Sequence, residues 1–315
     1  MECPACGEPG ATSHCRLRDR FFGAVSGEFE LFLCGSCGLL FQDHSRVEAR
    51  LASFYPAGYW WQSQGRLGAL EHRYRRFVVS LDQLRFLRQL FPEPGRRTLL
   101  DVGCGNGTLV GLAHEAGFDA WGMEQSPEAV DASRHLAPGR VWNTTEDKLI
   151  ADGRRFDIVV LLHCLEHVTQ PAGYLDRLRE LLTADGVLVV QVPNRASLQA
   201  KWLGTRWYGL DCPRHVSNFT SESLLRLFQS SGWSVGPVRY YSLRDNAPAL
   251  VSSLFPRLDP MSQRVRAQAA GRLRPRAAWL REGLYFGMTL LAQPLTFLEA
   301  SIGRGATVTV CARPM

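Results

Sequence analysis

The 315-residue chain predicts an α/β fold in which a mostly parallel sheet carries helices on both faces. Three observations point there. From residue 97 to about 242, apolar runs of strand length alternate with segments of helical periodicity. Two of the runs, "FDIVVLL" and "GVLVVQV", are apolar without interruption, as strands buried on both faces are. Finally, "TLLDVGCGNGTLVGLAHEAGFDAWGME", residues 98–124, reads as strand, glycine-rich turn, helix and second strand in that order.

Taken along the chain, residues 1–44 are poor in core-forming periodicity but hold two C-x-x-C pairs, and are expected to form a small zinc-binding module. Residues 45–96 read as a helical lid or linker region containing the aromatic stretch "FYPAGYWWQSQG". The core is expected over 97–242, with strands at 97–101, 119–123, 140–143, 156–162, 186–192 and 233–242. Helices are expected at about 107–116, 127–136, 171–182 and 221–231. Residues 243–303 break the alternation and read as a helical insertion, and 304–315 as the last strand.

Hydrophobic content of 45% and charged content of 21% are ordinary for a soluble globular chain. The net charge of +6 is carried almost wholly by arginine, since Lys148 and Lys201 are the only lysines, and it is a weak argument for nucleic acid. The start "MECPACGEPG" lacks a basic n-region and an apolar h-region, so a cytoplasmic location is expected. In a reducing compartment, paired cysteines read as metal ligands before disulfides.

The turn after residue 101 is built for close approach of a cofactor to backbone N–H groups. It reads G-x-G-x-G, with Thr108 where a dinucleotide site wants a third glycine or alanine. Asp101 ends the strand just before the first glycine, where it would repel a pyrophosphate and attract a positive amino group and sulfonium. Glu124 ends the second strand, placed to accept hydrogen bonds from both ribose hydroxyls.

The blocks "LLDVGCGNG", "GMEQSPEAV", "FDIVVLLHCLEHV" and "LLTADGVLVVQVPN" resemble, in order and spacing, the class I S-adenosylmethionine-dependent methyltransferases. The resemblance covers about residues 70–240. It implies a Rossmann-like seven-stranded sheet of order 3-2-1-4-5-7-6 with the seventh strand antiparallel, 233–242 and 305–312 being the sixth and seventh strands. It also implies that Asp101, Gly103 and Gly105 line the methionine end and that Glu124 holds the ribose. Cys104, Gly107 and Gln125, in the same two turns, complete this cofactor-binding set. Either Glu146 or Asp147 is expected to meet the adenine amino group, and Leu162 and His163 to lie near the sulfonium.

Cys3-x-x-Cys6 and Cys34-x-x-Cys37 are separated by 27 residues and predict two knuckles completing a closed, structural four-thiolate zinc site. His14 and Cys15 are the spare ligands. The run "CGSCGLLFQ…FYPAGYW" resembles a methyltransferase subgroup with an N-terminal zinc-binding domain that acts on sugars or other natural-product intermediates.

Methyl transfer needs an aligned acceptor and, for many acceptors, a base. The candidates are His163, Glu166 and His167 in "LLHCLEHVTQP", His215 in "DCPRHVSNFTSESL", and Tyr55 and Tyr59, with Tyr59 and Trp60 as a lid or an ordinary core cluster. "LEHV" recurs in enzymes of this class with differing chemistry, so Glu166 and His167 either pin a loop or act. A related quinone O-methylating group binds a divalent metal through an acid three residues before this Glu together with the Glu-His pair. Here His163 stands in place of that acid.

The expected acceptor is a small molecule or glycan intermediate methylated at oxygen or carbon, with RNA or protein, or a non-catalytic binding role, as alternatives. Against nucleic acid, the N/D-P-P-Y/F motif of amino-methylating enzymes is replaced by "LLHCLEH". The segment 264–298 joins arginines to an apolar run that reads either as a buried helix or as a peripheral contact on the inner face of the membrane, near a lipid-linked or prenylated acceptor.

Overall fold

The computed structural model describes residues 1–55, 73, 76–93, 95–269, 271 and 278–315. Tyr59 and Trp60 lie outside the described residues. The N-terminal part contributes strands β1 (Thr12–Leu17), β2 (Phe29–Leu33) and β3 (Leu40–Gln42), then the single turn α1 (His44–Val47). A π-helical turn at Ser80–Leu84 runs into α2 (Arg85–Leu90). The main unit then follows as β4 (Thr98–Val102), α3 (Thr108–Glu115), β5 (Asp119–Glu124), α4 (Pro127–Ser133), β6 (Val141–Asn143), α5 (Glu146–Ala151), β7 (Phe156–Leu162), α6 (Pro171–Glu180) and β8 (Leu182–Pro193). Beyond it lie α7 (Leu198–Leu203), β9 (Ser217–Asn218), α8 (Ser221–Ser230), β10 (Trp233–Arg239), α9 (Asn246–Leu254), α10 (Pro260–Ala269), α11 (Ala278–Ser301) and β11 (Thr307–Pro314).

Seven strands form one sheet in the order β10-β11-β8-β7-β4-β5-β6. Read from the β6 edge this is the expected 3-2-1-4-5-7-6 order, and β11 is antiparallel to both neighbours. The other pairings, β4 with β5 and β7, β5 with β6, and β7 with β8, are parallel. Alternate residues feed two cores, as a period of two requires. Leu100, Val102, Val159, Leu161, Leu188 and Val190 face α6 and α8, while Leu99, Ile158, Val160, Val187 and Val189 face α3 and the Leu84–Leu87 segment. The parallel strands end at one edge, so the turns after β4, β5 and β7 gather there, the usual ligand edge of such a sheet.

The strand expected at 233–242 ends at Arg239. Beyond it, Ser242 turns inward and its hydroxyl lies 2.6 Å from Asp82 and 2.7 Å from Asp245. Asp82, buried on the π-helical turn, also receives Arg239. Nothing in the local sequence announces this clasp, because its members are far apart in the chain.

The N-terminal strands do not stand alone. They form a four-stranded antiparallel sheet β1-β2-β3-β9, whose last strand comes from the loop after α7. Arg214, in that loop, is fully buried. It donates to Asp19 at 2.8 Å and to Asp211 at 2.7 Å, and its guanidinium stacks 4.3 Å over Phe22. Gln42 of β3 donates to the carbonyls of Pro213 and His215, at 2.8 and 3.2 Å. The N-terminal sheet is therefore a clamp on residues 211–218.

Burial raises the cost of ionising Asp19, but the Arg214 guanidinium outweighs it and holds the carboxyl below its usual range. Its stabilising share is complete above the ordinary carboxylate range and is lost as pH falls below about 4. Replacing Arg214 by Met should destabilise the fold by about 3–5 kcal/mol, because two buried carboxylates lose their cation. Urea unfolding checks this, and adding Asp19→Asn should recover part of the loss.

Candidate functional site

The turn after β4 is shaped by its glycines. Gly103 and Gly105 adopt φ of +68° and +55°, where side chains with a Cβ are strained. A Cβ on Gly103 would also sit 2.6 Å from the Cys164 sulfur, so the β4 and β7 turns touch here. Over Gly105 a Cβ would meet no atom of the described residues within 4 Å, which leaves room for a ligand against its backbone. Gly107, at φ +72°, starts α3. Cys104 packs its sulfur against Gly122 of β5, where a Cβ would lie 2.5 Å from it.

Two acids lie at the ends of the flanking strands, Asp101 one residue before the end of β4 and Glu124 as the last residue of β5. Glu124 is buried and fixed by three backbone N–H groups: Gly105 on one oxygen at 3.0 Å, Gln125 and Ser126 on the other at 2.8 and 2.9 Å. Three of the carboxylate's roughly four lone-pair sites are thus filled, and the oxygen that accepts from Gly105 keeps capacity for a hydroxyl. Gln125 is exposed, and its carbonyl accepts from Asn143. Asp101 is buried; desolvation, with Glu124 adding repulsion and Arg244 opposing, pushes its carboxyl up to about 7. A buried acid beside a second acid is a place where a cationic ligand group lowers the energy. The donor set thus fits S-adenosylmethionine, whose ammonium would face Asp101 and whose ribose hydroxyls would meet Glu124.

Of the two adenine candidates, Asp147 is exposed beside Arg177, and Glu146 is buried beneath the Tyr174 hydroxyl, which donates to it. Leu162 ends β7 and packs on the core face shared with α3.

His163 follows Leu162 with φ +59°, an uncommon conformation for a residue with a Cβ. That backbone directs its ring between two acids: Nδ1 lies 3.2 Å from Glu166, and Nε2 lies 3.2 Å from Asp245. Gln191 lies 2.8 Å from both Nε2 and Asp245. Burial opposes a charge on the ring, but Asp245 and Glu166 outweigh it and push its pKa up to about 10. The two acids favour the imidazolium form of His163, and Asp245 is held well below the usual carboxylate range by that charge against the opposing effect of burial. Asp245 and Gln191 escaped the sequence reading. The only hint was the helix-start pattern "DNAP" following the sixth core strand.

A second group lies alongside. The ligand atoms of Glu166, His167 and His215 all fall within 4.8 Å of one another. His167 Nδ1 lies 2.9 Å from the Arg214 carbonyl and 2.9 Å from the Tyr55 hydroxyl, and His215 Nδ1 lies 2.8 Å from the Gly209 carbonyl. Donation from Nδ1–H to these carbonyls leaves both Nε2 atoms as acceptors. Glu166 Oε2 is buried and has no hydrogen-bond partner among the described residues. Burial and the neighbouring His215 lower the His167 pKa to about 4. The clamp described above places this group, since Arg214 and Gln42 hold the backbone on either side of His215.

The four N-terminal cysteines converge. Cys3 and Cys37 sulfurs are 3.6 Å apart, as are Cys6 and Cys34, and all four lie within 4.8 Å of one another. A zinc tetrahedron with bonds of about 2.3 Å has edges of about 3.8 Å, so the set fits one zinc ion and is too open for disulfides of about 2.05 Å. Both knuckles close alike: Gly7 N donates to the Cys3 carbonyl and Gly38 N to the Cys34 carbonyl, at 2.9 and 3.0 Å, with both glycines at positive φ. The spare ligands His14 and Cys15 lie on β1, outside the cluster.

The profile of a methyltransferase domain matches residues 70–237. The ubiquinone biosynthesis O-methyltransferase of Cereibacter sphaeroides is 30% identical over 194 residues, spanning 56% of this chain and 78% of that protein. The mitochondrial ubiquinone biosynthesis O-methyltransferase of Arabidopsis thaliana is 26% identical over 219 residues, spanning 61% and 68%. Among solved structures, magnesium protoporphyrin IX methyltransferase of Synechocystis PCC 6803 matches with a TM-score of 0.43 at 17% identity, covering 62% of this chain and 88% of that one.

S-adenosylmethionine should raise the thermal midpoint of the protein, and Glu124→Ala should abolish most of that shift. Because a cationic ligand favours ionised Asp101, calorimetric affinity should weaken as pH falls below about 7, and Asp101→Asn should flatten that dependence. For the cysteine cluster, metal analysis of the purified protein should find about one zinc per chain, lost in the Cys34→Ser/Cys37→Ser protein.

Proposed function

The chain belongs to the methyltransferase-domain family, and from that premise we propose that it methylates a hydroxyl oxygen of a small-molecule or glycan biosynthetic intermediate, with His215 as the base. The observation that carries the reading is the position of Glu166, His167 and His215 on the turn after β7 and the clamped loop, beside the turn that bears Gly103. S-adenosylmethionine, when bound, supplies a methyl group on a sulfonium. Asp101 would orient its ammonium and Glu124 its ribose, with Gly103 and Gly105 allowing close approach.

His215 Nε2 takes the acceptor's hydroxyl proton while Nδ1–H stays on the Gly209 carbonyl, which fixes the ring and its tautomer. His163 keeps its proton too firmly to serve as a base at neutral pH; clasped by Glu166 and Asp245, it orders the turn instead. His167, its pKa lowered by burial, holds a proton poorly and packs edge-on against His215 at 4.8 Å. The O-methylating relatives support oxygen as the atom methylated. The four-cysteine knuckles, as a structural zinc module, support the sugar and natural-product branch of the resemblance.

A second reading rests on Glu166 Oε2, which is buried without a hydrogen-bond partner among the described residues. With both Nδ1–H groups given to carbonyls, His167 and His215 present Nε2 as metal-ligating histidines do, and with Glu166 they would hold a divalent cation that polarises the acceptor hydroxyl.

Transfer of labelled methyl from S-adenosylmethionine to a panel of catechols, phenols and hydroxylated glycans tests the assignment. With an acceptor in hand, His215→Asn should cut kcat by about 10²–10⁴ while cofactor affinity is kept. Retained turnover would remove His215 from the chemistry. Turnover lost to a chelator and restored by Mg²⁺ or Mn²⁺, with the cysteine cluster still loaded, would favour the second reading.

A further inference from the structure

α11 is built inside out. Its inward side is polar: Thr289 and Thr296 are buried, and Tyr285 lies 3.0 Å from the Ser252 hydroxyl. Gln293 accepts from Tyr241 at 2.8 Å, and Glu299 accepts from Gln199 at 2.9 Å. Its outward side is apolar. Leu280, Leu284, Leu291, Leu295, Leu298 and Ile302 follow one another at helical spacing and are 55% to 83% exposed. From Gly283 to Leu298 there is no charged residue. A helix at a water-facing surface carries the opposite pattern.

The ends of this ridge are cationic and aromatic. Arg281 is exposed at one end beside Trp279, which is 56% exposed. At the other end, Arg304 is exposed, and its carbonyl accepts from Leu198 N at 3.0 Å. That contact brings α7 alongside, with exposed Lys201 and Trp202, the latter 70% exposed. Glu299 is buried and Glu282, next to Arg281, is half-buried, so from Gly283 to Arg304 the ridge shows no exposed acid. The 21 residues entering this ridge, 261–281, carry six arginines and no acid.

We propose that this ridge is a membrane-surface anchor: α11 lies in the plane of an anionic bilayer with its leucines in the acyl boundary and its terminal cations on lipid headgroups. The charge pattern selects lipid over a second copy of the chain. Pairing two ridges, parallel or antiparallel, would set cationic ends against cationic ends, whereas an anionic surface neutralises both. Crossing the membrane is not the arrangement, since among the described residues no helix is long and apolar enough, and the inward face of α11 is already bound to the protein. Tryptophans at both ends suit the headgroup level. Anchoring would bring the enzyme to acceptors that partition into lipid.

The test is co-sedimentation of the full chain with vesicles. Binding is expected to vesicles of phosphatidylcholine mixed with phosphatidylglycerol, to be weak on phosphatidylcholine alone, and to fall with added salt. Leu291→Glu/Leu295→Glu should weaken binding by at least about tenfold, as charged residues must then enter the boundary. Arg281→Glu/Arg304→Glu, which leaves the leucines intact, should abolish the preference for anionic lipid. Both variants should keep the thermal shift with S-adenosylmethionine, which shows that they fold. Absence of binding to anionic vesicles, or binding unchanged in the leucine variant, overturns the proposal. So does a dimer in sedimentation equilibrium that the leucine variant dissociates.

Discussion

Arg214 is the interaction on which the site depends. A guanidinium removed from water between Asp19 and Asp211 is stable only because both acids and the Phe22 ring are held around it. Asp19 is itself held by backbone N–H groups of Phe22, Ala24 and Val25 at 3.1, 2.9 and 3.2 Å. The ion cluster thus joins the N-terminal sheet to the loop that carries His215. The four cysteines and β9 act to the same end. A structural metal in the knuckles would stiffen the strands that grip residues 211–218, so a module outside the cofactor fold would position a residue beside the cofactor.

The charges at the sheet edge are arranged in a graded way. Asp101 and Glu124 put negative potential where a sulfonium and an ammonium would lie. Slightly further on, the His163 imidazolium is neutralised by Asp245 and Glu166, so it organises the turn without repelling a cationic cofactor. Asp245 comes from the start of the insertion, and Gln191 from β8. The insertion therefore does two separate things. Its first residues complete the edge of the site, and its last helix turns an apolar ridge outward.

What could be read from the sequence was what is local. The glycine turn, the acids ending β4 and β5, and the two knuckles each lie within a few residues, and their spacing carries their geometry. The strand order followed from resemblance and from uninterrupted apolar runs such as "FDIVVLL". What stayed hidden was long-range. Arg214 and Asp19 are 195 positions apart and Asp82 and Arg239 are 157 apart, and no periodicity links them. β9 is two residues long, below any pattern. α11 was legible as an apolar helix, but its orientation was not, because burial of Thr289 and exposure of Leu291 are decided by the partners of Tyr285, Gln293 and Glu299.

Amide hydrogen exchange of the Arg214→Met protein tests most directly whether the buried ion cluster holds the His215 loop in place. The account predicts that amides of residues 211–218 and of the Asp19 turn exchange at least about tenfold faster, a loss of more than about 1.4 kcal/mol of local protection, while β4 and β5 keep theirs. Unchanged protection of the loop, with exchange rising evenly across the whole chain or nowhere, would contradict it.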